Sequence, residues 1–424
     1  MEKNYVVHGH LCYTPTPEEV TVVENGWLVC EDGKISGVFE KLPGKFDGME
    51  ILDYTGCLII PGLTDLHLHA PQYSFRSLGM DMELMDWLNT HTFPEEAKYC
   101  DMEYALRAYT IFAEDMKKSA TTRAAVFATL HVPATRLLMD LLDKTGIIAD
   151  VGKVNMDRNC PEFLCESGWR EAARSTRDWL ESTLGAYNNI KPIITPRFTP
   201  ACSPKLMSEL GKMQKEYGVP VQSHLSENPG EIQLVQQLHP DSRFYGETYE
   251  KAGLFGENGP VIMAHCVYSS AKEVNLMKER GVFVAHCPQS NMNLASGLAP
   301  ARWYMDNGLS MGLGSDIAGG YSLSIFRAMA DAISMSKMYW RHVDEKARPL
   351  SAAEAFYLGT KGGGAFFGKC GSFELGYDAD FVVLDDTRLP SPMPLDVRQR
   401  LERMIFLSDD RHIKAKYVRG TLIQ

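Results

Sequence analysis

The distribution of apolar and polar positions divides the chain into three stretches. The first 60 residues read as β: Trp27-Leu28-Val29-Cys30 and Ile35-Ser36-Gly37-Val38-Phe39 flank Glu31-Asp32-Gly33-Lys34, and Asp-Gly between two such runs predicts a hairpin. A β-like pattern returns at the far end, in Phe381-Val382-Val383-Leu384 and again from Ala415 to Ile423. Neither end holds enough apolar residues to build a good core alone. The economical reading is one small β-sandwich domain assembled from both termini, 1–60 with 372–424.

Between them, residues 61–371 alternate short β-branched runs with longer segments of helical period, the pattern of βα units around a parallel sheet. Eight runs are counted, at 63–69, 123–131, 147–156, 192–198, 219–225, 260–266, 282–287 and 310–316. Helix starts mark the intervening segments. Ser270 and Glu273 have capping-box spacing, and Ser203-Pro204 places proline at a first helical position. Eight strands with crossover helices predict an α/β fold, a (β/α)8 TIM-like barrel. An open doubly wound sheet accommodates the same count.

Composition and charge narrow the function. The 424 residues are 45% hydrophobic and 23% charged, values of a globular chain with a large core, which excludes disordered and fibrous classes. With 43 basic and 54 acidic side chains the net charge is −11. That balance argues against polymeric nucleic acid or an anionic membrane as partner and leaves a small neutral substrate open. No apolar run reaches membrane-spanning length, and residues 1–8 lack the apolar segment of a secretory leader. The ten cysteines are scattered without a Cys-x-x-Cys pair. They are expected as reduced thiols of a cytoplasmic protein, and a zinc ribbon is excluded.

Several predicted strands end in metal-binding residue types. The first ends Asp65-Leu66-His67-Leu68-His69; residues two apart on a strand face one side, so both imidazoles enter one space. The fifth ends His224-Leu225-Ser226-Glu227, the sixth at His265, the seventh at His286 and the eighth at Ser315-Asp316. In a TIM barrel the C-terminal strand ends ring the active site. Taken singly, each histidine is more often a satisfied core group, and His8-Gly9-His10, with nothing beside it, reads as structural. Registry changes that balance: five of the twelve histidines end four predicted strands.

His67, His69, His224 and Asp316 offer four groups suited to a borderline divalent ion, zinc or iron, which supplies a hydroxide nucleophile at neutral pH. Glu227, three residues beyond His224, is placed to take a proton and pass it to a substrate. The fourth run ends Thr195-Pro196-Arg197-Phe198, and Lys191 lies at its start. No lysine therefore stands where it would bridge a second ion, and one metal is expected.

Other motifs fail on inspection. Gly363 to Cys370 nearly matches a P-loop, but cysteine replaces the magnesium-binding hydroxyl and no strand precedes it. Gly-x-Ser-x-Gly and His-Glu-x-x-His are absent, as is the signature of the small zinc deaminases. Met80, Met82 and Met85 read as packing residues.

Pro61-Gly62-Leu63-Thr64-Asp65-Leu66-His67-Leu68-His69 resembles the first-strand motif of the amidohydrolase superfamily. His224-Leu225-Ser226-Glu227, Met263-Ala264-His265, Ala285-His286-Cys287-Pro288-Gln289-Ser290-Asn291 and Gly314-Ser315-Asp316 are similar to its later strands. Gly376-Tyr377-Asp378-Ala379-Asp380 resembles the return into its small β domain. Within the superfamily, His69 to Phe75, Thr92-Phe93-Pro94-Glu95, Thr195 to Phe198 and Asp316 to Ser322 resemble the guanine-deaminating branch, from about residue 55 onward.

The resemblance implies that His67, His69, His224 and Asp316 bind one divalent metal, zinc or else iron, and that Glu227 shuttles protons. His265 would help hold the water or intermediate, and Asp316 would share the proton handling. Gln72, Arg197 and Phe198 would contact the purine, with His69, His224, Glu227 and Asp316 beside it. The chemistry agrees: an arginine fork can engage the O6 and N7 acceptors of guanine, and a phenylalanine offers a stacking face. Read from the residues alone, Arg197 is as well explained by a structural ion pair and Phe198 by the core. The implied enzyme is a cytoplasmic homodimer that converts guanine to xanthine and ammonia. Oxidised purines and triazines are the alternative substrates, and a metal-free binding scaffold is the alternative of another class.

Overall fold

The computed structural model describes residues 4–424; residues 1–3 of the expected leaderless start lie outside it. Strands β1 (Tyr5–Thr16), β2 (Glu19–Glu31), β3 (Lys34–Phe39) and β4 (Glu50–Pro61) come first. Asp32 and Gly33 have φ of 51° and 74° and close a two-residue turn between the paired Glu31 and Lys34. Positive φ at both central positions matches the right-handed strand twist, so the Asp-Gly reading holds.

The barrel strands follow: β5 (Leu63–His69), β6 (Thr121–Phe127), β7 (Ile148–Gly152), β8 (Val154–Asn155), β9 (Ile190–Pro192) and β10 (Thr195–Pro196). Then come β11 (Val221–Leu225), β12 (Val261–His265), β13 (Phe283–His286) and β14 (Met311–Leu313). The chain returns through β15 (Phe381–Leu384), β16 (Ile413–Val418) and β17 (Thr421–Leu422).

Both ends pair in one seven-stranded sheet of order β17-β16-β15-β4-β1-β2-β3. They meet where Phe381 to Leu384 run antiparallel to Pro61 to Leu58. Alternation along β15 explains how this sheet docks: Phe381 and Val383 pack with Tyr5, Val7 and Ile59, whereas Val382 and Leu384 join Leu58 and Ile60 in the main core. The described strands thus form one continuous sheet with two apolar faces, and the two stacked sheets of the expected sandwich are not among the described pairings.

The remaining strands form two four-stranded parallel sheets, β5-β6-β7-β9 and β11-β12-β13-β14, and a parallel pair, β10-β8. The two larger sheets join at both edges. Ile194 joins them on one side, donating to Pro220 O and accepting from Gln222 N, both at 3.0 Å. On the other side Asp316 N donates to His67 O at 2.8 Å and His69 N to Ile317 O at 2.9 Å. Hydrogen bonds at both seams close the ring and remove the open-sheet alternative. Strands are shorter than the apolar runs. The run 192–198 is not one strand: β9 ends at Pro192, Ile193 and Ile194 donate to different neighbours, Val151 O and Pro220 O, and β10 spans only Thr195–Pro196.

Arg123, buried at the start of β6, donates from Nε to Asp380 at 2.6 Å and also pairs with Asp378. This ties the ring to the return segment. His8 contacts Asp53 and Thr55 and stacks on Trp27, consistent with a structural role. One cysteine expectation is corrected: Cys160 and Cys165 are joined as a disulfide, while the other eight cysteines form none. No helix among the described residues is long and apolar enough to cross a membrane.

Candidate active site

The C-terminal strand ends converge. β5 delivers His67 and His69, β11 His224, β12 His265, and the turn after β14 Asp316. Backbone at the ends of these strands enters the left-handed region, with φ of 50° at Ser226, 70° at His265 and 44° at Asp316. Such conformations are costly for non-glycine residues and cluster at functional sites. Asp65 fixes the seam: Ser315 donates to it from Oγ at 2.5 Å and from N at 3.0 Å, and His67 N at 3.2 Å.

His67 Nε2 lies 3.2 Å and His69 Nε2 3.5 Å from Asp316 Oδ1. The nitrogens of His67, His69 and His224 lie within 4.8 Å of one another, as do the ligand atoms of His67, His265 and Asp316. His224 Nδ1 is 2.5 Å from Arg197 O; a carbonyl can only accept, so Nδ1 carries the proton and Nε2 keeps its lone pair. Both nitrogens of His67 and Nδ1 of His69 are buried without a hydrogen-bond partner. Burial lowers the pKa of all three imidazoles. Burial opposes ionisation of Asp316 too, yet His67, His265 and His69 hold its carboxyl below the usual range. Neutral imidazoles, unpartnered nitrogens and an ionised carboxylate at these separations fit a divalent cation.

Glu227 stands beside this cluster. Its Oε2 is 3.5 Å from His265 Nε2, and Oε1 accepts from Ser296 Oγ at 3.0 Å. Burial raises its pKa. Burial works against charge on His265, but Glu227 and Asp316 raise its pKa on balance. Asn291 Oδ1 meets the other ring nitrogen of His265 at 2.9 Å. Gln72, Arg197 and Phe198 line the same cavity as His69, His224, Glu227, His265 and Asp316. Every residue singled out for the site is therefore in or against one cavity, with His67 behind it.

Other residues around the cavity were not read from the sequence. Glu96 grips Arg197 and Gln72. Glu231 accepts from Glu227 N at 3.1 Å and Tyr245 Oη at 2.5 Å, and burial with the nearby Glu227 carboxylate raises its pKa to about 7. Asn228-x-x-Glu231 is a formed capping box, a signal the sequence carried. Ser270 caps its helix from one side only, because Glu273 turns to Ser226 Oγ and Gly246 N. Apolar closure comes from Leu84, Trp87, Leu88 and Leu294. His286 is buried with both nitrogens unpartnered, and burial holds its pKa at about 4.

Residues 58–423 match the model of the Amidohydrolase family. The chain belongs to this family. Amidohydrolases generally use a divalent metal, and the cluster above has the donors for one. The guanine deaminase of Rattus norvegicus is 38% identical over 377 residues, covering 85% of this chain and 82% of that protein. The guanine deaminase of Escherichia coli (strain K12) is 34% identical over 426 residues, covering 96% and 94%. Among solved amidohydrolase structures, a guanine deaminase from C. acetobutylicum with guanine bound in the active site is 48% identical, with a TM-score of 0.96 and coverage of 99% and 100%.

Proposed function

We propose that this amidohydrolase is a guanine deaminase, converting guanine and water to xanthine and ammonia. The observation that carries the reading is one cavity in which Gln72, Arg197 and Phe198 face the His, Asp and Glu cluster. Relatives named as guanine deaminases support it, including the one solved with guanine bound.

His67, His69, His224 and Asp316 would hold the metal, which we assign as zinc, with iron as the alternative for the same donors. When bound, it supplies a Lewis acid that makes water nucleophilic at neutral pH. Arg197 and Gln72 orient the ring edge and Phe198 packs the ring face, presenting C2 towards Glu227. Glu227 takes a proton from the attacking water as the C2–O bond forms and returns it to the ring nitrogen; the remaining proton, on the C2 hydroxyl, then passes through the carboxylates to the departing amine as the C2–N bond breaks and C2=O forms. His265 donates towards the oxygen of the tetrahedral centre, and Asp316 shares the proton handling.

The division into residues 1–60, 61–371 and 372–424 belongs to the same proposal, supported by the pairing of β4 with β15. So does a cytoplasmic homodimer: eight of the ten cysteines form no disulfide, which suits a reducing compartment, and dimers are the commonest oligomers.

Purified, metal-loaded protein incubated with guanine, adenine, cytosine and 8-oxoguanine, with and without chelator, tests the proposal. Ammonia and xanthine from guanine, lost with chelator, are expected. Absence of guanine turnover would overturn it.

A further inference from the structure

The short helix Phe93–Ala97 delivers two side chains to Arg197. Phe93 lies beneath the guanidinium, its ring centroid 5.1 Å from Cζ. Glu96, 2% exposed, accepts from Nη1 at 2.5 Å and from Nη2 at 3.1 Å. The same Oε1 accepts from Gln72 Nε2 at 2.9 Å. One buried carboxylate therefore grips both polar side chains that face the ring.

Its effect follows from counting donors. Arginine has five N–H groups and no acceptor; glutamine has two N–H groups and a carbonyl oxygen. Glu96 takes one N–H from each terminal nitrogen of Arg197 and one from Gln72. The Gln72 oxygen accepts from Ala318 N at 3.3 Å, so with Glu96 on its nitrogen the amide is held in one orientation. Arg197 has N–H alone left to offer; Gln72 keeps one N–H and one lone pair of its oxygen. A fork of buried donors accepts a ring edge of acceptors, and it discriminates strongly against a group that leaves those donors unpaired.

We propose that Glu96 is a specificity-determining positioning residue: it holds the Arg197 fork of donors and the orientation of the Gln72 amide, so that the O6/N7 edge of guanine is taken and an amino group in place of O6 is refused. This rests on the guanine deaminase reading. Glu96 acts through Arg197 and Gln72 and touches no reacting atom. Remove its charge and Gln72 is free to turn its amide, which puts its oxygen where an N–H stood.

The test is Glu96→Gln, which keeps the shape but sets an amide N–H against donors. Steady-state kinetics are measured with guanine and with the analogue carrying an amino group in place of O6, alongside metal content. Expected are a KM for guanine raised about tenfold or more, kcat within about threefold, and a guanine-to-analogue kcat/KM ratio reduced at least about tenfold. Glu96→Asp, which keeps the carboxylate, is measured in parallel. Its ratio should lie between those of Gln and wild type, and it decides the matter if the Gln variant fails to fold. An unchanged ratio, or equal losses on both substrates, overturns the inference and leaves Glu96 a structural residue. Wild-type protein without guanine turnover defeats the functional reading first, and this one with it.

Discussion

The Nε2 atoms of His69 and His224 face each other at 3.1 Å. Because His224 donates from Nδ1 to Arg197 O, its Nε2 carries a lone pair, and burial keeps both rings neutral. A cation between the nitrogens satisfies both lone pairs; without one, His69 Nε2–H would have to donate to His224. Dialysis against a strong chelator should therefore lower the melting temperature by several degrees, and zinc should restore it. The linkage is worth about 4 kcal/mol when free ion stands about a thousandfold above its dissociation constant. Identical melting of chelated and zinc-loaded protein, with metal loss verified by elemental analysis, would count against a cation at these residues.

Glu227 lies against the cluster without being one of the four expected ligands. Glu227→Gln should lower kcat by a factor of about 10² to 10⁴ while bound metal stays unchanged. Loss of metal in step with activity would make Glu227 a ligand instead of a proton carrier.

Gly314 sits where the eighth strand end passes behind the site. A Cβ there would come within 2.8 Å of Cys287 Sγ, 3.0 Å of His67 Cβ and 3.1 Å of His67 O. Both His67 and the seam it shares with Asp316 N would have to shift. Gly314→Ala should cost about 1–3 kcal/mol of stability and reduce metal content and activity together. Full metal occupancy in the variant would show that the backbone yields without moving His67.

The strand-end histidines were legible because spacing within a strand fixes which side chains share a face, as for His67 and His69. The Asp32-Gly33 turn was legible because its backbone demands those residue types. Glu96 was not. Glu95 and Glu96 are adjacent carboxylates, and only tertiary packing turns Glu96 to Arg197 while Glu95 pairs with Lys98 and Tyr104. The second sheet of the sandwich was expected because strand count alone does not reveal partners. The pairing of β4 with β15 joins residues from opposite ends of the chain into one sheet. The Cys160–Cys165 bond likewise depends on a loop conformation that its spacing does not specify.

Acid sensitivity should reside partly far from the active site. Glu354, 2% exposed, pairs with Arg302 Nη2 at 2.6 Å and accepts from Arg348 Nη2 at 2.7 Å and Ser351 N at 2.8 Å. Burial opposes its charge, but the two guanidinium groups and the N–H win, lowering its pKa from 4.5 to about 2. The unfolded chain therefore binds the proton first, and stability falls as pH drops. This contribution is complete above pH 4.5 and is lost as pH falls through about 2; the shift corresponds to about 3 kcal/mol. Glu354→Gln should be destabilised near neutrality, since it leaves buried Arg302 with only the longer, 3.2 Å pair to the exposed Asp306. Its melting temperature should then fall less steeply than that of the wild type over this acid range. Thermal unfolding followed from pH 7 to pH 2 checks both, and parallel curves for the two proteins would assign the acid limb to other carboxylates.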